Sequence, residues 1–530
     1  MKTSWDGRPP VDDIACPIPH FAHMVDSVLD PPNLGVVSPG IPNDSTKAVA
    51  PPAGIAHELT SVRTKVFYGL GSVAFGVKDN GFQTILLPFY NLVLHVPAQL
   101  VSLAIFIALV VDAFLDPIVG HMSDNLRTRW GRRHPLMYLS ALPVAVSYLL
   151  LWNPPAWSQG ALFVYLIVVA VVVRTFITFY EIPSSALVPE LTDDYDERTS
   201  FISYRVFFAW YGGLAMSALA FFVFMHADPA HKVGQLNPIG YSHYGLTAAV
   251  VMFIAILVSA AGTHRFIPYF RKPAPRQFTL LQYAREMVAT LNNKPFLILI
   301  LAAVFFNVAT GLVFALSFYV NTFFWKFNNS QIGILTLATF VAVLLAFIIS
   351  PPLSRWLGKK LSAIVMFALG LTINSTPLTL GLMGVLAAKP SVGLLGILFG
   401  FTTVGSALAI GSSIMVISMI ADVVEDSEIA TGRRSEGLFF AGSSFVQKAT
   451  SGLGLFASGL VLWAVHFPTN KLPGRIDPHI VWNFSILYLS IVVVLYGIGF
   501  WIISRFPITR ATHAENLRRL AAEAAQIPAP

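Results

Sequence analysis

Residues 97–121 decide the fold class, and they read PAQLVSLAIFIALVVDAFLDPIVGH. Asp112 and Asp116 are the two acidic side chains in this stretch, and it holds no Lys or Arg. A run of roughly 18 or more apolar residues is long enough to cross the hydrocarbon core of a bilayer. Lipid offers the backbone no hydrogen-bond partners, so a spanning segment must satisfy itself as a helix. The stretch therefore predicts a membrane-spanning α-helix.

Similar apolar runs recur along most of the chain and predict an all-α membrane protein. The sequence has 530 residues, of which 12% are charged, whereas soluble proteins carry about 25%. We predict twelve transmembrane helices, at 67–93, 97–121, 135–153, 160–187, 199–225, 244–267, 295–325, 331–353, 361–386, 391–421, 437–466 and 480–504. The spans form two groups of six, which indicates two six-helix bundles.

The hydrophilic stretches divide the chain into five predicted regions. These are a disordered tail over 1–64, a bundle over 65–267, a linker over 268–294, a bundle over 295–505 and a tail over 506–530. The first tail is rich in Pro and Gly and has no pattern of a cleavable signal peptide. The linker carries apolar residues at helical spacing between Phe278 and Leu291, which favours an amphipathic helix on the membrane surface.

Basic residues are concentrated in alternate loops, which predicts that both termini and the linker lie in the cytoplasm. These loops also account for the net charge of +7, so we expect no nucleic-acid partner. Two basic turns follow the second and eighth spans, Arg129-Trp130-Gly131-Arg132-Arg133 and Arg355-Trp356-Leu357-Gly358-Lys359-Lys360. Their corresponding places indicate duplicated halves; a chance similarity of two basic turns is the alternative.

Charged side chains inside spans are costly, by about 2.5–3.5 kcal/mol each at mid-membrane, and usually mark function. Asp112 and Asp116 are four residues apart, so both lie on one face of the second helix. Paired carboxylates can hold a hard cation such as sodium, or share one proton. The alternative is that Asp116 pairs with the basic turn just beyond it.

The first and fourth spans carry further charges. Lys78 and Asp79 either neutralise each other, or Asp79 accepts hydrogen bonds from a ligand while Lys78 pairs elsewhere. Arg174 and Glu181 are seven residues apart and share a face over two turns. Glu181 is a candidate acceptor for a polar solute, and a structural Arg174–Glu181 ion pair is the alternative.

Two more cations lie in the fifth and eleventh spans. Arg205 is near the start of its span, where it either faces a solute or extends to the membrane interface. Lys448 is the one strong cation inside the second group of spans. We expect it to face the acidic side chains of the first group.

Four stretches resemble the melibiose-permease family, the glycoside–pentoside–hexuronide:cation symporters of the major facilitator superfamily. The stretches run from Tyr68 to Asp79, from Asp112 through Gly120 to Arg133, from Glu181 through Thr192 to Arg198, and from Ile420 to Lys448. The resemblance covers residues 67–505. It implies a major facilitator fold that moves a solute by alternating access.

The resemblance also implies a cation site. Asp112 and Asp116 match the paired carboxylates of the family, and Thr178 matches a hydroxyl ligand. Lys448 matches the lysine that links the cation and sugar sites, with Ser444 one turn earlier. Asp112 and Asp116 are metal ligands only if the coupling ion is Na⁺.

The implied solute site comprises Asp79, Glu181 and Arg205, the last aligned through a one-residue gap. Lys78 precedes Asp79, and Ser185 stands where the melibiose permeases have a Trp that stacks on the sugar. Glu181 stands where they have Asp. These departures indicate a solute other than a melibiose-type galactoside.

A further departure bears on the ion, since Leu115 replaces the Asn that precedes the second carboxylate. Loss of that amide favours H⁺ over Na⁺. We also expect Arg129, Arg132 and Arg133 to take part in conformational gating.

The sequence thus predicts a secondary active transporter that couples a cation to a glycoside, oligosaccharide or related sugar in a bacterial inner membrane. We expect it to act as a monomer and to need no cofactor besides the coupling ion. Symport of a lysophospholipid or another amphiphile is the alternative. The chain lacks the sequence patterns of a His-rich metal cluster, a nucleophile elbow or a phosphate loop, so we do not expect an enzyme.

Overall fold

The computed structural model describes residues 58–192, 194–229, 231–270, 290–431, 436–469 and 474–508, with Arg285, Thr512, Glu515, Asn516 and Arg518. Most of the predicted N-terminal tail, linker helix and C-terminal tail therefore lies outside the described residues. Within these ranges the chain forms twelve long helices, a few short helical turns such as Val188–Leu191, and no β-strand.

We number the helices α1 to α12 in chain order. Helix α1 runs through the consecutive helical pieces Val62–Leu70, Ser72–Asn80, Gly81–Ile85, Leu86–Pro88 and Phe89–Val93. The others are α2 Ala98–Asn125, α3 His134–Trp152, α4 Gln159–Ser185, α5 Tyr195–Leu219, α6 Pro238–His264, α7 Lys294–Tyr319, α8 Asn329–Leu357, α9 Lys359–Leu382, α10 Val392–Thr431, α11 Glu436–Ala464 and α12 Pro478–Ile503.

Eleven of these described helices are long and apolar enough to cross a membrane. Helix α1 is the exception, because π-helical turns at Gly81–Ile85 and Phe89–Val93 divide it into short pieces. The prediction of an all-α membrane protein with twelve helices is confirmed.

Several predicted helix boundaries were wrong by about a turn or more, and the two largest errors are the end of α10 and the start of α6. Helix α10 continues ten residues beyond the predicted end at residue 421. The prediction stopped too early because the last turns of this helix carry acidic side chains and lack apolar periodicity. Helix α6 begins at Pro238 rather than at residue 244. There Asn237 caps the helix by accepting a hydrogen bond from the backbone N–H of Ile239.

The two halves repeat each other in backbone detail. Each basic turn contains one glycine in the left-handed region, Gly131 with φ 75° and Gly358 with φ 78°. At the other end of the helices, α1 and α7 both finish in a π-helical turn. A left-handed residue then follows, His95 with φ 59° or Lys326 with φ 58°. The duplicated-half interpretation therefore rests on geometry as well as on sequence.

We call the side with the two basic turns the basic end, and the side with residues 94–97 and 325–328 the opposite end. Three hydrogen bonds join the halves near the opposite end. The Tyr319 hydroxyl donates to Asn91 (2.8 Å), Gln235 donates to the Phe327 carbonyl (3.0 Å), and His95 contacts the Thr469 carbonyl (3.0 Å). These bonds hold the two halves together at the opposite end.

Helices α1 and α5 pack backbone against backbone at Gly76. A Cβ atom at this position would overlap the main chain of Ala209. We expect Gly76→Val to lower the free energy of unfolding by about 1–3 kcal/mol, the usual cost of overpacking. Thermal unfolding in detergent measures this. Gly396→Val on α10 is the control, because nothing lies within 4 Å of a Cβ there; equal melting temperatures for the two variants would contradict the packing.

Candidate functional site

A group of eight charged side chains from the described helices lies on both sides of the junction between the halves. We call them the charged cluster. Its basic members are Lys78, Arg174, Arg205 and Lys448, and its acidic members are Asp79, Asp112, Asp116 and Glu181. Seven come from α1, α2, α4 and α5 of the first half, and Lys448 comes from α11 of the second.

Asp112 is fully buried and fully engaged. Its Oδ2 accepts a hydrogen bond from Arg174 Nη1 (3.0 Å), and its Oδ1 accepts one from the Thr178 hydroxyl (2.7 Å). Lys448 Nζ also lies 3.5 Å from Oδ2. A buried carboxylate is stable only when paired and hydrogen-bonded in this way. Arg174 and Thr178 are four apart on α4, so one face of that helix serves both oxygens.

Asp116 carries the ion pair that joins the two halves. Its Oδ2 accepts a hydrogen bond from Lys448 Nζ at 2.6 Å. Its Oδ1 is buried and has no hydrogen-bond partner. The alternative in which Asp116 pairs with the basic turn is wrong, because the side chain points across the junction toward α11. Asp116 is therefore half satisfied, with one oxygen atom free to take a proton or a ligand.

Lys78 and Asp79 form an ion pair at 2.7 Å. The expectation that Lys78 pairs elsewhere and leaves Asp79 free is therefore corrected. Their environments differ, because the side chain of Lys78 is 2% exposed and that of Asp79 is 44% exposed. Lys78 is thus fixed in the protein interior, while Asp79 presents its carboxylate to open space.

The alternative of a structural Arg174–Glu181 ion pair is also wrong. Arg174 is taken by Asp112 on the neighbouring helix and lies over the ring of Phe82, 4.7 Å from its centroid. The Glu181 carboxylate has no hydrogen bond or ion pair to any described residue. It interacts electrostatically with Lys448 and Asp116. Glu181 is therefore an acceptor without a partner beside the Lys448–Asp116 pair.

Arg205 points into the bundle and does not extend to the membrane interface. Its guanidinium donates to the Tyr68 hydroxyl (3.3 Å), the Ser184 hydroxyl (3.2 Å) and the Glu181 carbonyl (3.3 Å). It also lies 4.9 Å from the centroid of the Phe75 ring. These hydrogen-bond partners are neutral, and the Glu181 carboxylate is the acidic side chain that interacts electrostatically with Arg205.

Two predicted site residues lie apart from this network. The Ser185 hydroxyl donates to the Ile182 carbonyl on its own helix, and the side chain is exposed. Ser444 is exposed one turn before Lys448 and makes no described hydrogen bond to the cluster.

The predicted gating residues lie in a separate ion-pair network at the basic end. Arg132 and Arg133 both donate to Oε1 of Glu190, at 2.6 and 3.0 Å, and Arg133 also pairs with Asp124 at 2.6 Å. Arg129 takes no part, since it lies beside the Trp130 ring. Sequence reasoning assigned no role to Glu190 or Asp124. The partners of Glu190 are 57 and 58 residues away along the chain, and no local spacing signals such a contact.

The four acidic and four basic members of the charged cluster balance in formal charge. Such a set lowers the cost of keeping ions inside a membrane. Binding of one monovalent cation then changes the net charge by one unit and competes with Lys448 for Asp116. Chemically, the site can exchange an internal ion pair for an external cation.

Comparison with known proteins places these features in one family. The family described as MFS/sugar transport protein matches residues 67–510. The uncharacterized symporter sll1374 of Synechocystis sp. is 27% identical over 548 residues, covering 88% of this chain and 98% of that protein. The isoprimeverose transporter of Lactiplantibacillus pentosus is 26% identical over 438 residues, covering 81% of this chain and 85% of the relative.

Solved structures give the same architecture. The inward-open xylose transporter XylE from E. coli has a TM-score of 0.54 and 14% sequence identity, covering 86% of this chain and 98% of that one. This likeness supports the fold alone. Because the family match spans most of the sequence, the chain belongs to the MFS/sugar transport protein family and is a membrane transporter, not an enzyme.

Proposed function

We propose that the protein is a proton-coupled symporter of a glycoside or related sugar. The observation that carries this proposal is the ion pair of Lys448 with Asp116, whose second carboxylate oxygen is buried without a partner. The sugar class is supported by the family description and by relatives such as the isoprimeverose transporter. We place the protein in a bacterial inner membrane with the basic end and both termini in the cytoplasm.

The coupling step is the exchange of Lys448 for a proton at Asp116. Protonation at Oδ1 neutralises the carboxylate and weakens its hold on Lys448. Lys448 then turns toward Glu181, which has no other partner, or toward the solute. Proton binding on α2 thus changes the charges that a solute meets at α4 and α11.

A proton suits this site better than Na⁺. Sodium needs several oxygen ligands, as hard cations do, and the positive charges of Arg174 and Lys448 already lie beside the Asp112 carboxylate. Leu115 offers no further oxygen beside Asp116. A proton requires only the free Oδ1 atom.

The solute site lies among Asp79, Glu181 and Arg205. The two carboxylates accept hydrogen bonds from sugar hydroxyls, and the Arg205 guanidinium donates to ring or hydroxyl oxygens. Charged partners make the stronger hydrogen bonds. The ion pair with the buried Lys78 holds the Asp79 carboxylate in place. Ser185 and Ser444 belong to this site only if the bundles move toward each other during transport.

The charge balance of the cluster predicts which step of the transport cycle depends on the membrane potential. The empty cluster is neutral, so the empty carrier reorients without moving net charge. The carrier loaded with a proton and a neutral sugar has one positive charge, which gains about 2.3 kcal/mol per 100 mV when it moves inward. Opening and closing of the Arg132–Arg133–Glu190 network at the basic end gates access to the cytoplasm.

We expect Asp116→Asn to abolish accumulation of sugar against its gradient while exchange of internal for external sugar continues. The amide imitates the protonated carboxyl group and leaves nothing to titrate. Uptake driven by a pH gradient and equilibrium exchange, both measured in proteoliposomes, separate the two activities. Asp196→Asn, an exposed change in the first turn of α5, is the control. Retained pH-driven accumulation in Asp116→Asn would overturn the assignment of the proton site.

We expect Glu181→Gln to weaken sugar binding about tenfold or more without lowering the melting temperature. A hydrogen bond to a charged group contributes about 1.5–3 kcal/mol, and this carboxylate makes no hydrogen bond or ion pair with a described residue that the fold could lose. Calorimetric titration and thermal unfolding of the same preparation measure both. Glu190→Gln is the comparison, because it removes the partner of two arginines and should lower stability instead. The role of Glu181 fails if its variant binds sugar as the native protein does.

A further inference from the structure

A second cavity lies beside the charged cluster, mainly inside the second half, and nothing above assigns it a role. Its volume is about 320 Å³. Helices α7, α8, α9, α10 and α12 form most of its wall, and the first half contributes through α1 and α5. Asn80 on α1 lines this cavity and directly follows Asp79 of the solute site. The cavity wall therefore reaches α1 at the residue next to Asp79.

This cavity has no charged residue in its lining. The charged cluster has eight, so the two neighbouring spaces offer opposite chemistry. An anionic or cationic group would lose its hydration in the second cavity without gaining a partner. Its ligand is therefore an uncharged group.

The wall of the second cavity contains thirteen side chains with a hydroxyl or amide group. Seven of them make no hydrogen bond to any described residue, namely Asn321, Thr339, Asn374, Ser375, Thr402, Ser406 and Tyr488. Neighbouring hydroxyls behave differently: Thr372, Thr376 and Thr379 on α9 each donate to the carbonyl four residues earlier. Polar side chains within a membrane normally find such internal partners. Seven free groups around one space indicate a ligand with several hydroxyl or ether oxygens, or an ordered hydration shell that a ligand replaces.

Aromatic rings complete the wall, which includes Phe314, Phe367, Phe401 and Tyr496. Ligand sites typically combine aromatic surface with a few fixed polar groups and have volumes of roughly 300–1,000 Å³. This cavity lies at the small end of that range. It suits one ring-sized unit better than a long acyl chain.

We propose that this cavity is a second subsite, which binds the uncharged second ring of a glycoside while the charged cluster binds its sugar ring. The second ring is either another sugar or an aromatic aglycone, since both combine a flat apolar face with oxygen acceptors. The inference rests on the proposed sugar transport. It adds that the favoured solute has two rings and spans both halves of the carrier.

The test compares matched ligands on purified protein in detergent, by calorimetric titration. The probes are methyl glycosides, p-nitrophenyl glycosides and disaccharides of glucose, galactose, xylose and glucuronic acid, with lysophosphatidylcholine as the acyl-chain probe. Ser406→Leu fills the cavity, and Thr402→Val removes one hydroxyl without changing the shape. Thr376→Val on α9 is the control, because Thr376 is not in the cavity wall and its hydroxyl is satisfied.

We expect Ser406→Leu to weaken binding of a two-ring glycoside at least tenfold and binding of the matching methyl glycoside less than twofold. Thr402→Val should act in the same direction by a few fold, and Thr376→Val should have no effect. An effect on disaccharides alone assigns the subsite to sugar, and an effect on p-nitrophenyl glycosides alone assigns it to an aromatic aglycone.

Two results would overturn the subsite. Equal losses for one-ring and two-ring ligands would show that the substitution acts on the charged cluster or the fold. Loss of lysophosphatidylcholine binding with unchanged glycoside binding would show that the cavity holds an acyl chain. If the native protein binds no glycoside in the panel, the sugar assignment fails as well. Binding with no variant effect overturns only the subsite and leaves the proposed transport intact.

Discussion

The rest of the structure depends on the ion pair between Lys448 and Asp116. Each of these charges would be costly inside a membrane without a partner, because neither lipid nor apolar side chains replace its hydration. Their 2.6 Å contact compensates both and ties α11 of the second half to α2 of the first. The hydrogen bonds between Asn91 and Tyr319 and between Gln235 and Phe327 hold the same halves together near the opposite end. In the proposed mechanism, the centre of the transporter rearranges after a proton replaces Lys448 at Asp116.

The proposed proton coupling rests on this ion pair and on the different roles of the acidic side chains in the site. Asp112 is paired with Arg174 and hydrogen-bonded to Thr178, so in our account it acts as a fixed negative charge. Asp116 retains a free oxygen and is the group that titrates in our account. Glu181 and Asp79 present carboxylates toward the solute space. The uncharged second cavity begins at Asn80, next to Asp79, so a two-ring solute would contact both halves. Ion binding, sugar binding and closure are then linked through neighbouring side chains, without a long-range pathway.

Much of the fold could be predicted from the sequence, because burial in lipid imposes apolar runs of a fixed minimum length. The charged members of the site were visible for the same reason, since charges inside spans stand out. Their partners were harder to predict. Arg174 and Glu181 share a helix face, yet Arg174 pairs with Asp112 on α2. This pair depends on the packing of α4 against α2, which residue spacing along one helix does not predict. The contact of Arg132 and Arg133 with Glu190 was missed for the same reason. No sequence pattern indicated the second cavity, because Asn, Ser and Thr are common in helices. Only the structure shows which of these side chains lack hydrogen-bond partners.

The central claim is that a proton enters with the sugar by displacing Lys448 from Asp116. Its most direct test is proton movement in proteoliposomes that contain the native protein and an internal pH indicator, in sodium-free buffer. The account predicts internal acidification when a transported glycoside is added outside, faster with an inside-negative potential and unchanged by added Na⁺. Glycoside uptake without acidification, driven instead by a sodium gradient, would contradict it.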